Sequence, residues 1–350
     1  MKSNYERLGD YIRPIDVRNK DLQVTRLLGV SIEKRFIESI ANTIGTDMST
    51  YKIVKKGQFA YGPVTSRNGE KVSIALLEED SCIISSSYSV FEIIDTKLLL
   101  PEYLNLWFKR PEFDRYARFH SHGSAREIFD WEEMYNVELP IPEINEQRRI
   151  VNAYTTIERR IDIKRKINEN LESILASEFS NNFNAKDNIE QIKLSEIISF
   201  GNGKTRPKMN GMIPVYGGNG ILSYTNQSNI ENAVLIGRVG AYCGSVYLEQ
   251  GICWVSDNAI YAKSKISSDE YFDYFLLKEL KLFDLHVGTG QQLITQEILN
   301  NIEIFKPSLE QIIAFNIKAK AIFVMIINNK NEIDRLRQLS CLLLARLANN

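Results

Sequence analysis

The sequence has few cysteines, no long apolar run and almost no net charge. Its four cysteines form no C-x-x-C pair and no signal peptide precedes them, so we expect reduced, structural thiols in a cytoplasmic protein. The longest apolar run, residues 321–327, is far shorter than the roughly twenty residues that a membrane helix needs, which predicts a soluble protein. Because the net charge is −1, nucleic-acid binding would have to come from local basic patches.

Motifs of nucleotide and cofactor binding are absent as well. Gly203-Lys204-Thr205 resembles the end of a phosphate-binding P-loop, but Ile198 occupies the position of the required first glycine and Pro207 prevents a following helix. Gly237 and Gly240 have G-x-x-G spacing before a strand-like segment. That pattern predicts a tight strand connection rather than a cofactor cradle.

Metal ligands and catalytic motifs are missing too. His120, His122 and His286 lie beside glycine-rich loops, with no Cys or carboxylate at metal-ligand spacing. The sequence contains no Asn-Pro-Pro-aromatic motif of an adenine methyltransferase and no carboxylate–lysine cluster of a nuclease. We therefore expect a non-catalytic chain with no cofactor and no metal.

The feature that organises the chain is a very long predicted helix over residues 140–180. More than thirty of these residues follow one another without Gly or Pro, which corresponds to a helix of about 55 Å. Apolar residues recur at alternating four- and three-residue steps, at Ile150, Tyr154, Ile157, Ile161, Leu171 and Leu175. Such a seam is typical of a helix that packs against another long helix, and the alternative is a lone amphipathic helix on a globular core.

The chain contains two copies of one plan. Each half has strand-like segments, a helix (residues 101–119 in the first half), a glycine-rich loop and a long helix. The matching positions are Gly123 and Gly288, Asn136 and Asn301, and Pro142 and Pro307, all at an offset of 165, and Glu146-Gln147 and Glu310-Gln311 at 164. Tyr103 also matches Tyr271 at an offset of 168. An internal duplication of this length predicts two related α/β halves with pseudo-two-fold symmetry.

The duplication gives each long helix a partner, since two related halves can form one body in which the helices pair antiparallel. Lys164 and Asn168 interrupt the first apolar seam, and the Asn-Asn-Lys-Asn segment 328–331 interrupts the second. Polar residues at seam positions lower stability but fix register. We expect these two segments, together called the polar belt, to face each other. The alternative is that residues 328–331 form only a solvated kink.

Proline, Glu-Gln and a long helix, occurring twice and each time after a globular half, resemble the specificity subunit of type I restriction–modification enzymes. The clearest segments are PEINEQRRIV (142–151), its degenerate copy PSLEQII (307–313), PVYGGNGI (214–221) and IGRVGAYCG (236–244). The resemblance covers the whole chain. The first half departs from it, because AYGPVTSR (60–67) stands where the second half has Ile236-Gly237-Arg238. Such divergence suits a domain that reads a different half-site.

The resemblance implies an α+β fold with two globular target recognition domains, residues 1–141 and 186–306. Two long antiparallel coiled-coil-like helices, residues 142–185 and 307–350, would separate them. Each domain would read one half of a split sequence in double-stranded DNA, and the helices would bind two modification (methyltransferase) subunits as well as restriction (motor and endonuclease) subunits. The methyltransferase would modify adenine after flipping it out of the duplex. Helices of about 55 Å would limit the separation of half-sites to roughly sixteen base pairs at about 3.4 Å each.

Two basic loop regions are the candidate DNA contacts. No acidic residue occurs in residues 199–228, where cations, amides and tyrosines alternate with glycines, or in the corresponding stretch 48–69. Glycines let the backbone approach phosphates, cations neutralise them and amides read base edges. The predicted DNA-binding residues are Lys52, Lys56, Ser66, Arg67, Asn68, Arg126, Asn202, Lys204, Thr205, Arg206, Lys208, Tyr216, Asn219, Tyr224 and Arg238. For any single residue the alternative is an ordinary solvated turn.

The long helices also carry predicted contacts with a partner protein. Residues 321–327 and the segment CLLLARL near the C-terminus are apolar on every side, and one seam partner cannot cover all sides of a helix. The predicted partner-binding residues are Ile150, Tyr154, Ile157, Ile161, Phe323, Ile327 and Leu343. The alternative is burial against the chain's own domains.

Two other functions fit parts of the pattern. A stand-alone DNA-binding regulator would use the same domains without catalytic partners, and it would need no large apolar helix faces. An enzyme with an unrecognised site in the glycine-rich loops would show turnover by the isolated chain.

Overall fold

The computed structural model describes residues 5–39, 45–66, 68–123, 126–183, 190–288 and 291–349. The chain divides into two compact units, Met1–Ile163 with Ile333–Asn350, and Lys164–Glu332. Each unit contains one globular domain and a stretch of each long helix. Across the described ranges, no helix is long and apolar enough to cross a membrane.

The domain of the first unit is built on a four-stranded antiparallel sheet. In chain order the unit has β1 (Tyr5–Arg7), β2 (Ile12–Ile15), β3 (Leu28–Val30), β4 (Phe36–Glu38), β5 (Lys52–Val54), β6 (Phe59–Tyr61), β7 (Ile74–Leu76), β8 (Cys82–Ile84), β9 (Ser89–Ile93), α1 (Pro101–Phe108), α2 (Pro111–Phe119), α3 (Trp131–Tyr135), β10 (Glu138–Pro140) and the start of α4 (Ile144–Phe183). The sheet has the order β2-β9-β6-β7, while β1 pairs with β10, β3 with β4 and β5 with β8.

Aromatic side chains form the centre of this domain. The Phe59 and Phe91 rings stack at 4.9 Å between centroids, and Phe108 meets Phe59 edge-on at 5.6 Å. The prediction of one helix over residues 101–119 is wrong, because α1 ends at Phe108 and α2 begins at Pro111. Proline has no backbone N–H and clashes with a preceding helical turn, but it fits the first turn of a new helix.

The domain of the second unit has a larger sheet. After α4 the unit has β11 (Gln191–Lys193), β12 (Ile198–Asn202), β13 (Ile213–Gly217), β14 (Gly220–Thr225), β15 (Ile230–Gly237), β16 (Val246–Val255), β17 (Ala259–Ser264), α5 (Tyr271–Glu279), α6 (Gln296–Asn300), β18 (Glu303–Phe305) and most of α7 (Leu309–Arg346). Its six-stranded sheet has the order β12-β17-β15-β16-β13-β14, and β11 pairs with β18.

The two domains share one topology, as the duplication predicts. In each, the first strand pairs antiparallel with the strand that precedes the long helix, β1 with β10 and β11 with β18. The order β2-β9-β6-β7 of the first sheet matches β12-β17-β15-β16 of the second. The second domain adds the β13–β14 hairpin at one edge, where β13 runs parallel to β16. These features confirm a mixed α and β fold with two related domains and long helices.

Helices α4 and α7 contain 40 and 38 residues and pair antiparallel. Within the first unit, Ile157 and Ile161 of α4 form an apolar cluster with Ile333 of α7. Within the second unit, Lys164 contacts Asn329 and Glu178 forms an ion pair with Lys318, so rising residue numbers on α4 meet falling numbers on α7. The seam predicted from the 4-3 spacing is therefore a helix–helix contact.

The polar belt lies inside this seam. Lys164 Nζ donates to Asn329 Oδ1 at 2.8 Å, and Asn329 Nδ2 donates to Asn168 Oδ1 at 2.7 Å. Lys164 also forms an ion pair with Glu332 at 2.9 Å. The prediction that the two polar segments face each other is confirmed, although only Asn329 of residues 328–331 is buried. Such bonds form at one register only, so the belt selects that register over slipped alternatives.

Candidate nucleic-acid interface

Backbone hydrogen bonds hold five segments of the second domain together. We call residues 202–205, 216–219, 237–241, 255–259 and 291–294 the loop cluster. The bonds that connect them are Gly203 N to Ala259 O at 3.1 Å, Lys204 N to Val255 O at 2.9 Å, Ser256 N to Tyr216 O at 2.8 Å, Arg238 N to Asn258 O at 3.0 Å, Gly240 N to Gln292 O at 3.0 Å and Ile294 N to Arg238 O at 2.9 Å. The cluster is thus a single hydrogen-bonded surface rather than a set of independent turns.

Glycine makes the close approach of these segments possible. A Cβ atom on Gly237 would lie 2.2 Å from Tyr242 O and 2.7 Å from Gly218 O, distances that no side chain tolerates. A Cβ atom on Gly203 would lie 1.9 Å from Ser256 O. Gly203 and Gly237 are therefore needed for backbone packing, and the close approach at Gly237 agrees with the prediction of a tight strand connection.

Six of the predicted DNA-binding residues lie in the loop cluster: Asn202, Lys204, Thr205, Asn219, Arg238 and Tyr216. The first four are exposed, and Arg238 is half-buried. The backbone of Lys204 is fixed on both sides, because its N–H donates to Val255 O and its carbonyl accepts from Trp254 Nε1 at 3.3 Å. The cluster thus presents cations and amides from a fixed backbone, which is the combination that phosphate and base-edge contacts require.

Three other predicted residues of this domain are exposed outside the cluster. Arg206 and Lys208 lie on the loop between β12 and β13, and Tyr224 lies on the edge strand β14. Tyr216 differs, because it is only 8% exposed and its hydroxyl donates to Glu249 Oε2 at 2.9 Å. Burial and the nearby carboxylate both raise the pKa of Tyr216. Its hydroxyl is used inside the domain, so we leave it out of the interface.

The first domain presents its predicted residues less uniformly. Lys56, Ser66 and Arg126 are exposed, while Asn68 is half-buried in a turn closed by its N–H to Thr65 O at 2.9 Å. Lys52 is half-buried and donates to Tyr88 O at 2.8 Å, and burial lowers its pKa. Arg67 lies outside the described residues. Of the predicted residues in this domain that the structure describes, the exposed side chains of Lys56, Ser66 and Arg126 are therefore the ones accessible to a ligand.

The described residues of the glycine-rich loops that match in sequence make the same backbone hydrogen bonds in both domains. His122 and Ile128 exchange backbone hydrogen bonds, and Val287 and Leu293 do the same. Gly123 and Gly288 both have positive φ, 135° and 96°. A Cβ atom would lie 2.1 Å from Arg126 O at the first and 2.5 Å from Gln291 O at the second. Each position therefore requires glycine, and Arg126 and Gln291 occupy equivalent places.

Sequence reasoning missed two amide residues of the loop cluster. Asn258 is exposed beside Arg238, and Gln291 is exposed where the first domain has Arg126. The offset of 165 that matches Gly123 with Gly288 also matches Arg126 with Gln291, so the duplication was a signal that could have found Gln291. Asn258 had no such signal, because its position depends on the β16–β17 connection.

Most of the predicted partner-binding residues contact the chain itself. Ile150 and Tyr154 pack on the core of the first domain, Ile157 and Ile161 are buried in the seam, and Leu343 lies against that seam. Phe323 is 7% exposed in the core of the second unit, whereas Ile327 is 39% exposed. The large apolar residues of the two long helices that remain exposed are Ile163, Ile167, Ile174, Leu309, Ile313, Ile317, Val324, Met325, Ile327, Leu339 and Leu342.

The sequence matches a family model described as "Type I restriction modification DNA specificity domain" over residues 33–173 and again over residues 186–335. The two matches together cover most of the chain, with one match in each half. The chain therefore belongs to the family of type I restriction–modification DNA specificity domains.

Curated relatives are similar over part of their length. The EcoprrI specificity subunit of a type I restriction enzyme from Escherichia coli is 25% identical over 124 residues, which is 35% of this chain and 31% of the relative. The HindI specificity subunit from Haemophilus influenzae is 23% identical over 158 residues, 44% of this chain and 34% of the relative. The matched regions thus span about a third of the length of these two proteins.

Solved structures show the same fold over nearly the whole chain. A crystal structure of the S subunit of a type I restriction–modification system from M. genitalium covers 98% of this chain and 95% of its own, with a TM-score of 0.61 and 16% identity. A chain from a structural study of complex assembly and conformational transition in a type I system has a TM-score of 0.51 and 18% identity.

Proposed function

We propose that this protein is the DNA-reading, non-catalytic subunit of a type I restriction–modification complex and that it recognises a bipartite target in double-stranded DNA. The observation that carries the proposal is the loop cluster of the second domain, together with its topological counterpart in the first. A duplicated reader on one chain is the arrangement that a split target requires.

In this proposal cations on the outer loops position the duplex and amides near the cluster read bases. Lys204, Thr205, Arg206 and Lys208 are exposed and suited to phosphate oxygens. Asn202, Asn219 and Tyr224 are the corresponding base-edge candidates of the second domain. In the first domain Lys56, Ser66 and Arg126 take these roles, with Arg67 as a further candidate. The predicted domain limits, 1–141 and 186–306, define the two readers.

We further propose that the exposed apolar face of the long helices binds methyltransferase subunits. Val324, Met325 and Ile317 are 51%, 53% and 68% exposed, although neighbouring residues of α7 are buried in the second unit. A helix that keeps such side chains in water gains free energy when another protein covers them, at about 25 cal/mol per Å² of apolar surface. Restriction subunits would join the same complex, and the modification of adenine and the cleavage of DNA would be carried out by these partners.

The proposal is tested by methylome sequencing of the host with and without the gene for this chain. We expect a bipartite motif with methylated adenine that disappears on deletion and returns on complementation. An unchanged methylome would reject the proposal. A stand-alone regulator would instead bind DNA without a methyltransferase, so the absence of a methyltransferase in the purified native complex would favour that second candidate.

A further inference from the structure

Hydrogen bonds identify which residue of the first domain corresponds to Arg238 of the second. Phe129 N donates to Pro63 O at 2.8 Å, and Ile294 N donates to Arg238 O at 2.9 Å. One residue earlier, Gly62 N donates to Ser73 O and Gly237 N donates to Ser245 O, both at 2.8 Å. One residue later, Val64 bridges to Ile128 as Val239 does to Leu293. Pro63 and Arg238 therefore occupy the same position, and only the second domain has a hydrogen-bonding side chain there.

The backbone of Arg238 is held by three hydrogen bonds. Its N–H donates to Asn258 O at 3.0 Å, and its carbonyl accepts from Ile294 N and from Cys243 Sγ at 3.3 Å. This position lies between two neighbouring segments of the loop cluster, so backbone motion of one segment alone cannot displace it. With the backbone already fixed, only the side-chain torsions of Arg238 lose conformational entropy on binding a ligand.

The guanidinium of Arg238 has unused hydrogen-bonding capacity. Its one recorded side-chain bond is a long contact of 3.5 Å from Nη1 to Asp257 O, and its buried Nε has no partner among the described residues. Within the same residues no carboxylate forms an ion pair with it, although the side chain is half-buried. A half-buried guanidinium has five N–H donors, and without an ion-pair partner these donors are satisfied by a ligand that presents hydrogen-bond acceptors.

We infer that Arg238 reads a guanine in the half-site of the second domain, an inference that rests on the proposed DNA-reading function. Exposed cations on the surrounding loops, Lys204 and Lys208, are available for the phosphates, whereas the half-buried Arg238 is held within the loop cluster beside Asn258. Guanine presents N7 and O6 as adjacent acceptors in the major groove, and the planar fork of arginine matches them. Pro63 cannot make this contact, so the two half-sites differ at the corresponding position.

The test compares Arg238→Ala and Arg238→Lys with the wild-type chain, each assembled with its methyltransferase subunits. Wild-type motifs are first determined by methylome sequencing, and binding is then measured by fluorescence anisotropy on duplexes with each base pair of the motif replaced in turn. We expect one G·C pair of the second half-site to be discriminated by about 5- to 150-fold in the wild type. Arg238→Ala should abolish discrimination at that pair alone, and Arg238→Lys should restore it in part.

Two control variants separate reading from positioning and from folding. Lys208→Ala should weaken binding to all duplexes equally and reduce the salt slope by about one. Lys318→Ala, which removes an ion pair with Glu178 on the helices, should leave DNA binding unchanged. Circular dichroism melting confirms that each variant is folded.

Three results would overturn the inference while leaving the proposed function intact. They are a second half-site without any G·C pair, a loss of affinity in Arg238→Ala that is equal for all duplexes, and a relaxed position in the first half-site. A wild-type complex with no sequence-dependent binding at all would instead reject the proposed function itself.

Discussion

Both domains join loops through backbone hydrogen bonds, but the second domain adds a hairpin that the described residues of the first domain lack. In the second, the β13–β14 hairpin extends the sheet and brings residues 216–219 against the segments that carry Ser256 and Arg238. In the first, the corresponding sheet ends at β7 within the described residues. The remaining strands of that domain form two-stranded sheets. The difference teaches that duplication preserved the buried topology while the exposed connections diverged, since a connection in water has few packing constraints.

A second comparison concerns how each domain is attached to its long helix. Gln147 of α4 accepts from Leu100 N and donates to Leu98 O and Pro142 O, all at 2.8 Å. Asn316 of α7 accepts from Phe272 N at 2.8 Å and donates to Asp269 O at 3.0 Å. In both units a buried amide on the long helix thus satisfies backbone groups at the start of a domain helix. The residue that does so lies at a different place in each helix.

The largest effects should come from removing these amides. Gln147→Leu and Asn316→Leu leave buried backbone partners unsatisfied, each at a cost of about 1–3 kcal/mol, so we expect a loss of roughly 3 kcal/mol or more in unfolding free energy. Gln311→Leu is the matched control, because Gln311 is the sequence counterpart of Gln147 but is exposed. Because Gln311 accepts only a hydrogen bond from Ser308 N at the start of α7, at 3.2 Å, urea unfolding should place this control within about 1 kcal/mol of the wild type. Equal losses for Gln147 and Gln311 would contradict the structural assignment.

A pH-dependent difference between the units should follow from α1 and α5. Asp273 occupies the place of Asn105, two residues after the matched tyrosines, and burial raises the pKa of Asp273 to about 7. Since the folded-state pKa lies above the unfolded value of 3.8, the folded state binds more protons between about pH 4 and 7. Unfolding free energy should therefore fall as pH rises through this window, by about 4 kcal/mol at most.

The measurement compares Asp273→Asn with the wild type in urea at pH 5 and pH 8. We expect the variant, which copies the first domain, to be more stable than the wild type at pH 8 and to lose most of the pH slope. Asp334→Asn, an exposed carboxylate of the first unit, serves as the control. The same slope in Asp273→Asn and wild type would show that this carboxyl does not titrate in the window.

A smaller effect should distinguish the two glycine loops. Gly123→Ala and Gly288→Ala place a Cβ atom against a backbone carbonyl at positive φ, which costs of the order of 1–3 kcal/mol. Because these loops lie beside the candidate DNA contacts, each change should weaken duplex binding roughly tenfold, as 1.4 kcal/mol corresponds to a factor of ten. Gly123→Ala should relax only the first half-site and Gly288→Ala only the second, as read by methylome sequencing.

Gly69→Ala provides the control for this pair. Gly69 also has positive φ, 64°, but a Cβ atom there would have open space. Its effect should be limited to the backbone cost of about 1 kcal/mol. An effect of Gly69→Ala equal to that of Gly123→Ala would mean that the carbonyl contact is unimportant.

Much of the fold was predictable because it depends on local patterns. The long stretch of sequence without Gly or Pro predicted α4, and the 4-3 spacing of its apolar residues predicted that it packs against another helix. The polar residues Lys164 and Asn168, which interrupt that spacing, predicted the polar belt. The prediction of one helix over residues 101–119 is wrong, because Pro111 begins a new helix. The motif match of Gln147 with Gln311 located the repeat correctly, but it did not reveal which amide anchors the second domain.

The candidate site was less predictable because exposure and partner choice depend on residues far away in the chain. Tyr216 and Lys52 have the right chemistry for DNA, yet Glu249 and the Tyr88 carbonyl bind them inside their domains. Asn258 and Arg238 become neighbours only through a backbone hydrogen bond between separate connections.

The amino-acid sequence by itself thus determined the duplication, the long paired helices and the kind of chemistry that the loops offer, because periodicity, helix breakers and residue types act locally. Only the tertiary structure decided that Arg238 stands where the first domain has Pro63, and which apolar helix residues remain in water. The physical reason is that a side chain's availability depends on packing and hydrogen bonds made across long stretches of chain, and a pattern of neighbouring residues does not encode them.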